Sequence, residues 1–240
     1  MVMVHAEADA KMEGRIPGLS VCETCAARAI SFCSGIETVL LSRHQRDLHL
    51  RHRQSISCGG DAPATLFNVV SGFVKLTRTL ADGRAQILGF RGPGEFFLMR
   101  ERAVVELEAI GPARLCRFTW PQLERLLQDH PVAQAQFLKK TQEQLEISHD
   151  HMFLLGRKTA REKVASFLLR YGAVRTRRSS GRTAGRLRVT RLEMADFLGL
   201  TVETVSRVLA RLAQEGILAL GQAHSIQVMD PDRLRRTAGN

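Results

Sequence analysis

The stretch from Val189 to Leu218, VTRLEMADFLGLTVETVSRVLARLAQEGIL, leaves little freedom in how it can fold. Thr190 and Glu193 have the spacing of a capping box, which starts a helix. Ala195 is small, as required where two helices cross closely. Gly199, four residues on, supplies the positive φ of a tight turn, and Val205, six further, faces back toward Ala195. Met194, Leu198, Leu200 and Val208 fill the remaining core positions, and Thr201 can cap the second helix. A small residue, a glycine and a branched residue at these offsets make a helix-turn-helix pattern. The start and outer face of its second helix carry Thr201, Val202, Glu203, Ser206 and Arg207. Arginine can grip the O6 and N7 of guanine in a bidentate fork, and glutamate can accept from cytosine N4. Arg207 and Glu203 are therefore the candidate base readers, with Ser206 on a base or a phosphate. Beyond them, GILALGQAHSIQVM has two short apolar runs around Gly221 and reads as a winged hairpin.

An ordinary helical hairpin would share that periodicity, so the charge beside it matters. From Arg157 to Arg191 there are twelve Lys and Arg residues against Glu162 alone. The whole chain carries a net charge of +11. Such a block could be a solvated loop with an arginine bias, but next to a helix-turn-helix it favours duplex DNA, since neutralised phosphates release counterions. No apolar run approaches the roughly 18 residues that span a bilayer. The N-terminus lacks a basic segment followed by an apolar one, so a cytoplasmic protein without membrane attachment is expected.

The 240 residues suffice for two modest domains. Residues 55 to 120 alternate in short apolar runs broken at Ser71-Gly72, Asp82-Gly83 and Gly111-Pro112, the pattern of a small antiparallel barrel or jelly roll. Pro121 opens a short helix and Pro131 a long one. In the long helix Leu138, Thr141, Leu145, Ser148, Met152 and Leu155 are spaced by three and four, a heptad seam with two polar positions. The stripe could be buried on the barrel. The helix is long for that, so a homodimer seam is expected. The division expected is an N-terminal arm over 1–35, a β-roll over 36–120, helices over 121–156 and a winged helix-turn-helix over 157–240, an α+β chain.

Three of the five cysteines fall within twelve residues, CETCAARAISFC, at Cys22, Cys25 and Cys33. Clustered thiols in a reducing compartment serve as ligands or redox groups more often than as disulfides. Haem attachment would need His after Cys25, where Ala26 stands. A tetrahedral zinc site and a dithiol switch both remain open.

A β-roll, a long helix and a C-terminal winged helix-turn-helix, in that order, resemble the CRP/FNR superfamily of bacterial transcription regulators over nearly the whole chain. The sharpest part is FLGLTVETVSRVLARL, which looks like the FNR and FixK branch, and TAREKVASFL is similar to the family's helix leading into the DNA-binding domain. The resemblance implies that Glu203, Ser206 and Arg207 read a palindromic TTGAT-type site, with RNA polymerase as a further partner. It implies no enzymatic activity, and no catalytic base or nucleotide loop speaks for one. It also implies an oxygen-sensitive [4Fe–4S] cluster on Cys22, Cys25, Cys33 and Cys116, with Cys58 as the other candidate for fourth ligand. Asp150 matches an acidic position whose like-charge repulsion holds the cluster-free form apart. Family members that bind cyclic nucleotide place Ser or Thr after the phosphate-binding Arg. Here Ala103 follows Arg102, so no cyclic nucleotide is expected. The alternative is a family member without a cluster, governed by thiol redox state or a structural zinc.

Overall fold

A computed structural model of the chain describes residues 22, 25–37, 41, 46–57, 64–99, 105–171, 173–174, 189–221 and 226–239. Eight strands form a roll of two four-stranded sheets. Strands β1 (Arg46–Leu50), β8 (Ala113–Thr119), β3 (Thr65–Ser71) and β6 (Phe96–Met99) lie in that order in one sheet. The other has β2 (Ser55–Ser57), β7 (Val105–Ala109), β4 (Val74–Thr79) and β5 (Ala85–Arg91). All pairings within the roll are antiparallel.

In the first sheet β3 and β6 are buried on both faces, which explains their nearly continuous apolar runs. Because side chains alternate along a strand, Phe67, Val69, Phe97 and Leu115 point into the core shared with the second sheet. Leu66, Val70, Phe96, Cys116 and Phe118 point the other way, into a separate core. That second core is covered by the short turns Arg28–Ile30 and Phe32–Gly35 of the N-terminal arm, and by helix α1 (Trp120–Asp129) and the start of helix α2 (Pro131–Arg157). Thr119 and Gln122 form a capping box for α1. At the β3–β4 turn Gly72 has φ 78°, and a Cβ there would sit 2.3 Å from the carbonyl oxygen of Pro112, so only glycine fits.

The C-terminal body comprises α3 (Ala160–Tyr171), β9 (Ala173–Val174), α4 (Arg191–Leu198), α5 (Val202–Gln214), β10 (Leu218–Leu220), β11 (Ile226–Val228) and α6 (Pro231–Thr237). Its core gathers Val164, Leu168, Met194, Leu198, Val205, Leu209, Ile217 and Leu234. Strands β10 and β11 form the antiparallel wing, and β9 pairs parallel to β11. Arg161 clasps Glu215 with both terminal guanidinium nitrogens, tying α3 to the end of α5.

The roll is docked on this body through the β4–β5 hairpin. Ile87 and Phe90 leave the roll and join the C-terminal core. The Phe90 ring lies 5.2 Å from Tyr171, 5.4 Å from Phe197 and 6.0 Å from Phe167. Lys75 on β4 reaches Glu108 at 3.1 Å and Glu193 on α4 at 2.9 Å. Three elements were not expected: β1, β9 and α6. Strand β1 is polar (RDLHL) because it is a sheet edge, where charge deters further pairing. The long helix runs through Gly156 to Arg157 before ending.

Phe90 fills the junction at 1% exposure. Phe90→Ala should therefore cost about 3–5 kcal/mol, measured as a lowered denaturant midpoint by circular dichroism, whereas truncating the exposed Leu80 near the hairpin tip should leave the midpoint nearly unchanged.

Candidate functional site

The two helices of the DNA-reading element form as their sequence dictates. Thr190 accepts from the Glu193 amide at 3.1 Å while the Glu193 carboxylate takes the Thr190 N–H at 2.8 Å. Burial alone would raise the Glu193 carboxyl. The bonds from Thr190 and Lys75 outweigh that and hold it below the usual carboxylate range. Gly199 ends α4 in the left-handed conformation, φ 61°. Thr201 then caps α5, accepting from the Thr204 amide at 3.2 Å. Ala195 and Val205 are both buried where the helices cross.

This leaves Glu203 and Arg207 exposed one turn apart on α5. Glu203 is kept below the ordinary carboxylate range, first by its own backbone N–H, then by the Thr201 hydroxyl, with Arg207 adding its charge. Ser206 is half-buried and accepts from Arg191 of α4 at 3.4 Å. Val202 is half-buried against the core, so its side chain is shared between packing and the outer face. Thr201 is exposed beside Glu203. The basic loop 175–188 and the wing tip 222–225 lie outside the described residues.

The second feature is a thiol pocket. Cys22, Cys33 and Cys116 are buried, Cys25 is half-buried, and all four thiols are free. They meet in the core between the arm, the roll and the foot of α2, among Phe32, Phe96, Phe118 and Ala133. Burial, then the nearby Cys25, pushes the Cys22 thiol up to about 11. Burial pushes Cys33 up to about 12 and Cys116 well above its usual value, each also raised by the other cysteines. Such a pocket disfavours thiolates until positive charge is brought to them. Arg28 supplies part of that charge beside Cys22 and Cys33, while its guanidinium donates to the Ile36 carbonyl at 2.8 Å. Among the described residues no three His, Cys, Asp or Glu side chains converge on one point able to hold a single metal ion. The donor set is four thiols packed in or against one hydrophobic core. Thiols are the donors that an iron–sulfur cluster takes, one to each iron, and a zinc ion takes them as well. Cys58, the other candidate for fourth ligand, lies outside the described residues.

Sequence reasoning passed over Asn68 and Ser31, both buried at this pocket and both bonded toward cysteine sulfur. The signal was available: Asn68 interrupts the apolar face of β3 between Leu66 and Val70. It also missed Phe137, whose ring stacks on Phe96 at 4.9 Å and meets Phe32 edge-on at 5.6 Å. With a bond between the Ser34 hydroxyl and Gln136, this ring joins the thiol pocket to α2.

Along α2, Leu138, Leu145 and Met152 are exposed at 57%, 55% and 61%. Asp150 is exposed beside them. The seam's polar members need no outside partner, because Thr141 donates to the Phe137 carbonyl at 2.8 Å and Ser148 to the Gln144 carbonyl at 2.9 Å. Leu155, expected in the same stripe, is half-buried against the C-terminal core near Gly199. His151 on the neighbouring face reaches the Phe197 carbonyl at 3.1 Å.

Where the roll could meet a cyclic phosphate, Ile30 of the arm lies against Gly94 so closely that a Cβ on that glycine would be 2.6 Å from it. Glu95 turns back to accept from the Gly92 amide at 2.7 Å. Arg102 and Ala103 lie outside the described residues. No helix among the described residues is long and apolar enough to cross a membrane.

Comparison with known proteins agrees with this architecture. Residues 162–237 match the model of the Crp-like helix-turn-helix domain, and residues 48–130 that of the cyclic nucleotide-binding domain. The nitrogen fixation regulation protein FixK of Bradyrhizobium diazoefficiens is 32% identical, covering 92% of this chain and 95% of its own. The transcriptional activator protein FnrL of Cereibacter sphaeroides is 34% identical, covering 91% and 92%. The solved structure of FixK2 from Bradyrhizobium japonicum superposes with a TM-score of 0.67 at 33% identity, covering 80% of this chain and 96% of that one. These relatives are transcription regulators and not enzymes. With a recognition helix of this build, and relatives aligned over nearly its full length, the chain belongs to the CRP/FNR family of DNA-binding transcription regulators.

Proposed function

We propose that this regulator binds a palindromic TTGAT-type DNA site as a homodimer, and that a [4Fe–4S] cluster on Cys22, Cys25, Cys33 and Cys116 makes that binding a response to low oxygen. The observation that carries the reading is the meeting of four thiols at the foot of the long helix. When bound, such a cluster would supply the positive iron that lets these thiols, three of them buried, ligate as thiolates. The chain's own residues do the rest. Cys22, Cys25 and Cys33 anchor the arm, Cys116 anchors β8, and Phe32 and Phe137 carry the arm's position onto α2. Leu138, Leu145 and Met152 then meet their counterparts in a second copy, against the mutual repulsion of Asp150. With the seam closed, two α5 helices face successive major grooves about 34 Å apart. Arg207 takes guanine and Glu203 takes cytosine, and Arg191 keeps Ser206 in place beside them. RNA polymerase is the partner this reading implies, and the cytoplasm its compartment. The names of the relatives support activation: FnrL and the anr protein of Pseudomonas aeruginosa are both called transcriptional activators.

The test is the visible spectrum of anaerobically purified protein, with iron and sulfide assays, before and after air. A band near roughly 400 nm that bleaches, with about four irons per chain, is expected. A colourless protein carrying zinc, or one whose DNA binding follows thiol oxidation alone, would replace the cluster with one of the other cysteine chemistries. Cys116→Ser should abolish the band, and an unchanged spectrum would move the fourth ligand to Cys58 or elsewhere. Arg207→Ala should weaken cognate binding by about 1–3 kcal/mol with little change on random duplex; equal loss on both would remove Arg207 from base reading. Leu145→Asp should shift sedimentation of the cluster-loaded protein toward monomer, while a dimer that withstood it would place the interface elsewhere.

A further inference from the structure

Among the described residues two polar side chains are buried, Asn68 at 1% exposure and Ser31 at 3%. Both lie at the thiol pocket, where the alternation of β3 calls for an apolar side chain between Leu66 and Val70. A buried amide persists when its hydrogen bonds are made, and the bonds here lead to sulfur. Asn68 stands opposite Cys116 in the β3–β8 register, and its Nδ2 donates to Cys116 Sγ at 3.6 Å. The hydroxyl of Ser31 donates to Asn68 Oδ1 at 3.0 Å, and the amide nitrogen faces the sulfur. Ser31 Oγ also lies 3.8 Å from Cys33 Sγ. A hydroxyl has one proton, so Ser31 gives it to one of these partners at a time, and the amide oxygen is the nearer. The result is a buried path Cys33–Ser31–Asn68–Cys116 that links a thiol of the arm to the thiol of the roll.

We infer that Asn68, oriented by Ser31, is a positioning residue for the cluster: its N–H···S bond holds the Cys116 sulfur in place and takes up part of the thiolate charge. The inference rests on the cluster reading of the pocket and assigns a role to residues outside the ligand set. Partners of this kind fix ligand orientation, and hydrogen bonds to sulfur tune a cluster's electronic properties. Asn68→Leu keeps the side chain's size and removes the donor.

The experiment uses the full-length protein reconstituted with iron and sulfide under nitrogen. It follows iron release to a ferrous chelator, the position of the sulfur-to-iron absorption, and the melting temperature of the metal-free form. Asn68→Leu should release iron roughly ten-fold faster or more and shift the absorption, while its metal-free form melts no lower than the unsubstituted protein. Failure of Asn68→Leu to assemble any cluster, with the metal-free fold intact, is the same result in stronger form. Ser31→Ala should move both readouts in the same direction and Ser31→Thr, which keeps the hydroxyl, should restore them. That pair decides the matter even if Asn68→Leu folds poorly. Unchanged release and absorption in Asn68→Leu and Ser31→Ala would overturn the role of Asn68 and leave the cluster standing. If the unsubstituted protein takes up no iron and sulfide, the cluster reading falls and the role falls with it.

Discussion

Phe32 is where the N-terminal arm, the roll and the long helix touch one another. Fully buried, its ring presents edges to Phe96 at 5.7 Å, Phe118 at 6.1 Å and Phe137 at 5.6 Å. Two of these rings belong to β6 and β8, and the third to α2. Edge-to-face rings add directional preference to ordinary burial, so the arm is located on the roll and on the helix by one side chain. Cys33 follows immediately and inherits that position. The thiol pocket is therefore built by packing before any metal chemistry is considered. At 27 residues and about 1.5 Å per residue, α2 is a rod of roughly 40 Å whose near end is set by Phe137 and whose far end enters the DNA-reading body through Leu154.

A second connection runs beside that rod. The β4–β5 hairpin places Phe90 among Phe167, Tyr171 and Phe197, and Lys75 shares its ammonium between Glu108 of the roll and Glu193 of α4. Glu193 has two tasks at once, since the same carboxylate closes the capping box of the first DNA-reading helix. The helix start and the roll are thus coupled through one side chain, and a rotation of the body against the roll must give up the Lys75 bond while leaving the cap intact.

Much of this was legible in the residues. The capping box at Thr190, the turn at Gly199 and the small-to-branched contact of Ala195 with Val205 are local rules, and each was realised. The glycine turns of the roll were readable for the same reason, since positive φ narrows the choice of residue. Edge strand β1 was not, because its charges answer to negative selection against pairing and look like loop. The docking of Phe90 was also hidden: its alternation says only that it is buried, and burial against a neighbouring domain looks the same as burial inside the roll. Leu155 followed the heptad spacing and yet turned to the C-terminal core, because a period of three and four marks a face of a helix and does not name its partner. The cysteine spacing suggested ligands, while their convergence on β8 depends on long-range register that no local pattern carries.

The hydroxyls of Thr141 and Ser148 bend back onto their own helix. A surface built this way tolerates being covered, since no donor is stranded, but it gains little from it, since a methyl or methylene stands where a leucine could. Two such positions among the exposed leucines and a methionine lower the ceiling on self-association without forbidding it. That is the regime in which mass action matters. Moving a population from one per cent to ninety-nine per cent associated at fixed total concentration takes a change of roughly a millionfold in the association constant, about 8 kcal/mol, and a tighter zipper would leave no room for a signal of that size to be felt. On the proposed reading, the weakness of the stripe lets the copy number of the protein, and the state of a pocket at the far end of the helix, decide together how much of it stands ready on DNA.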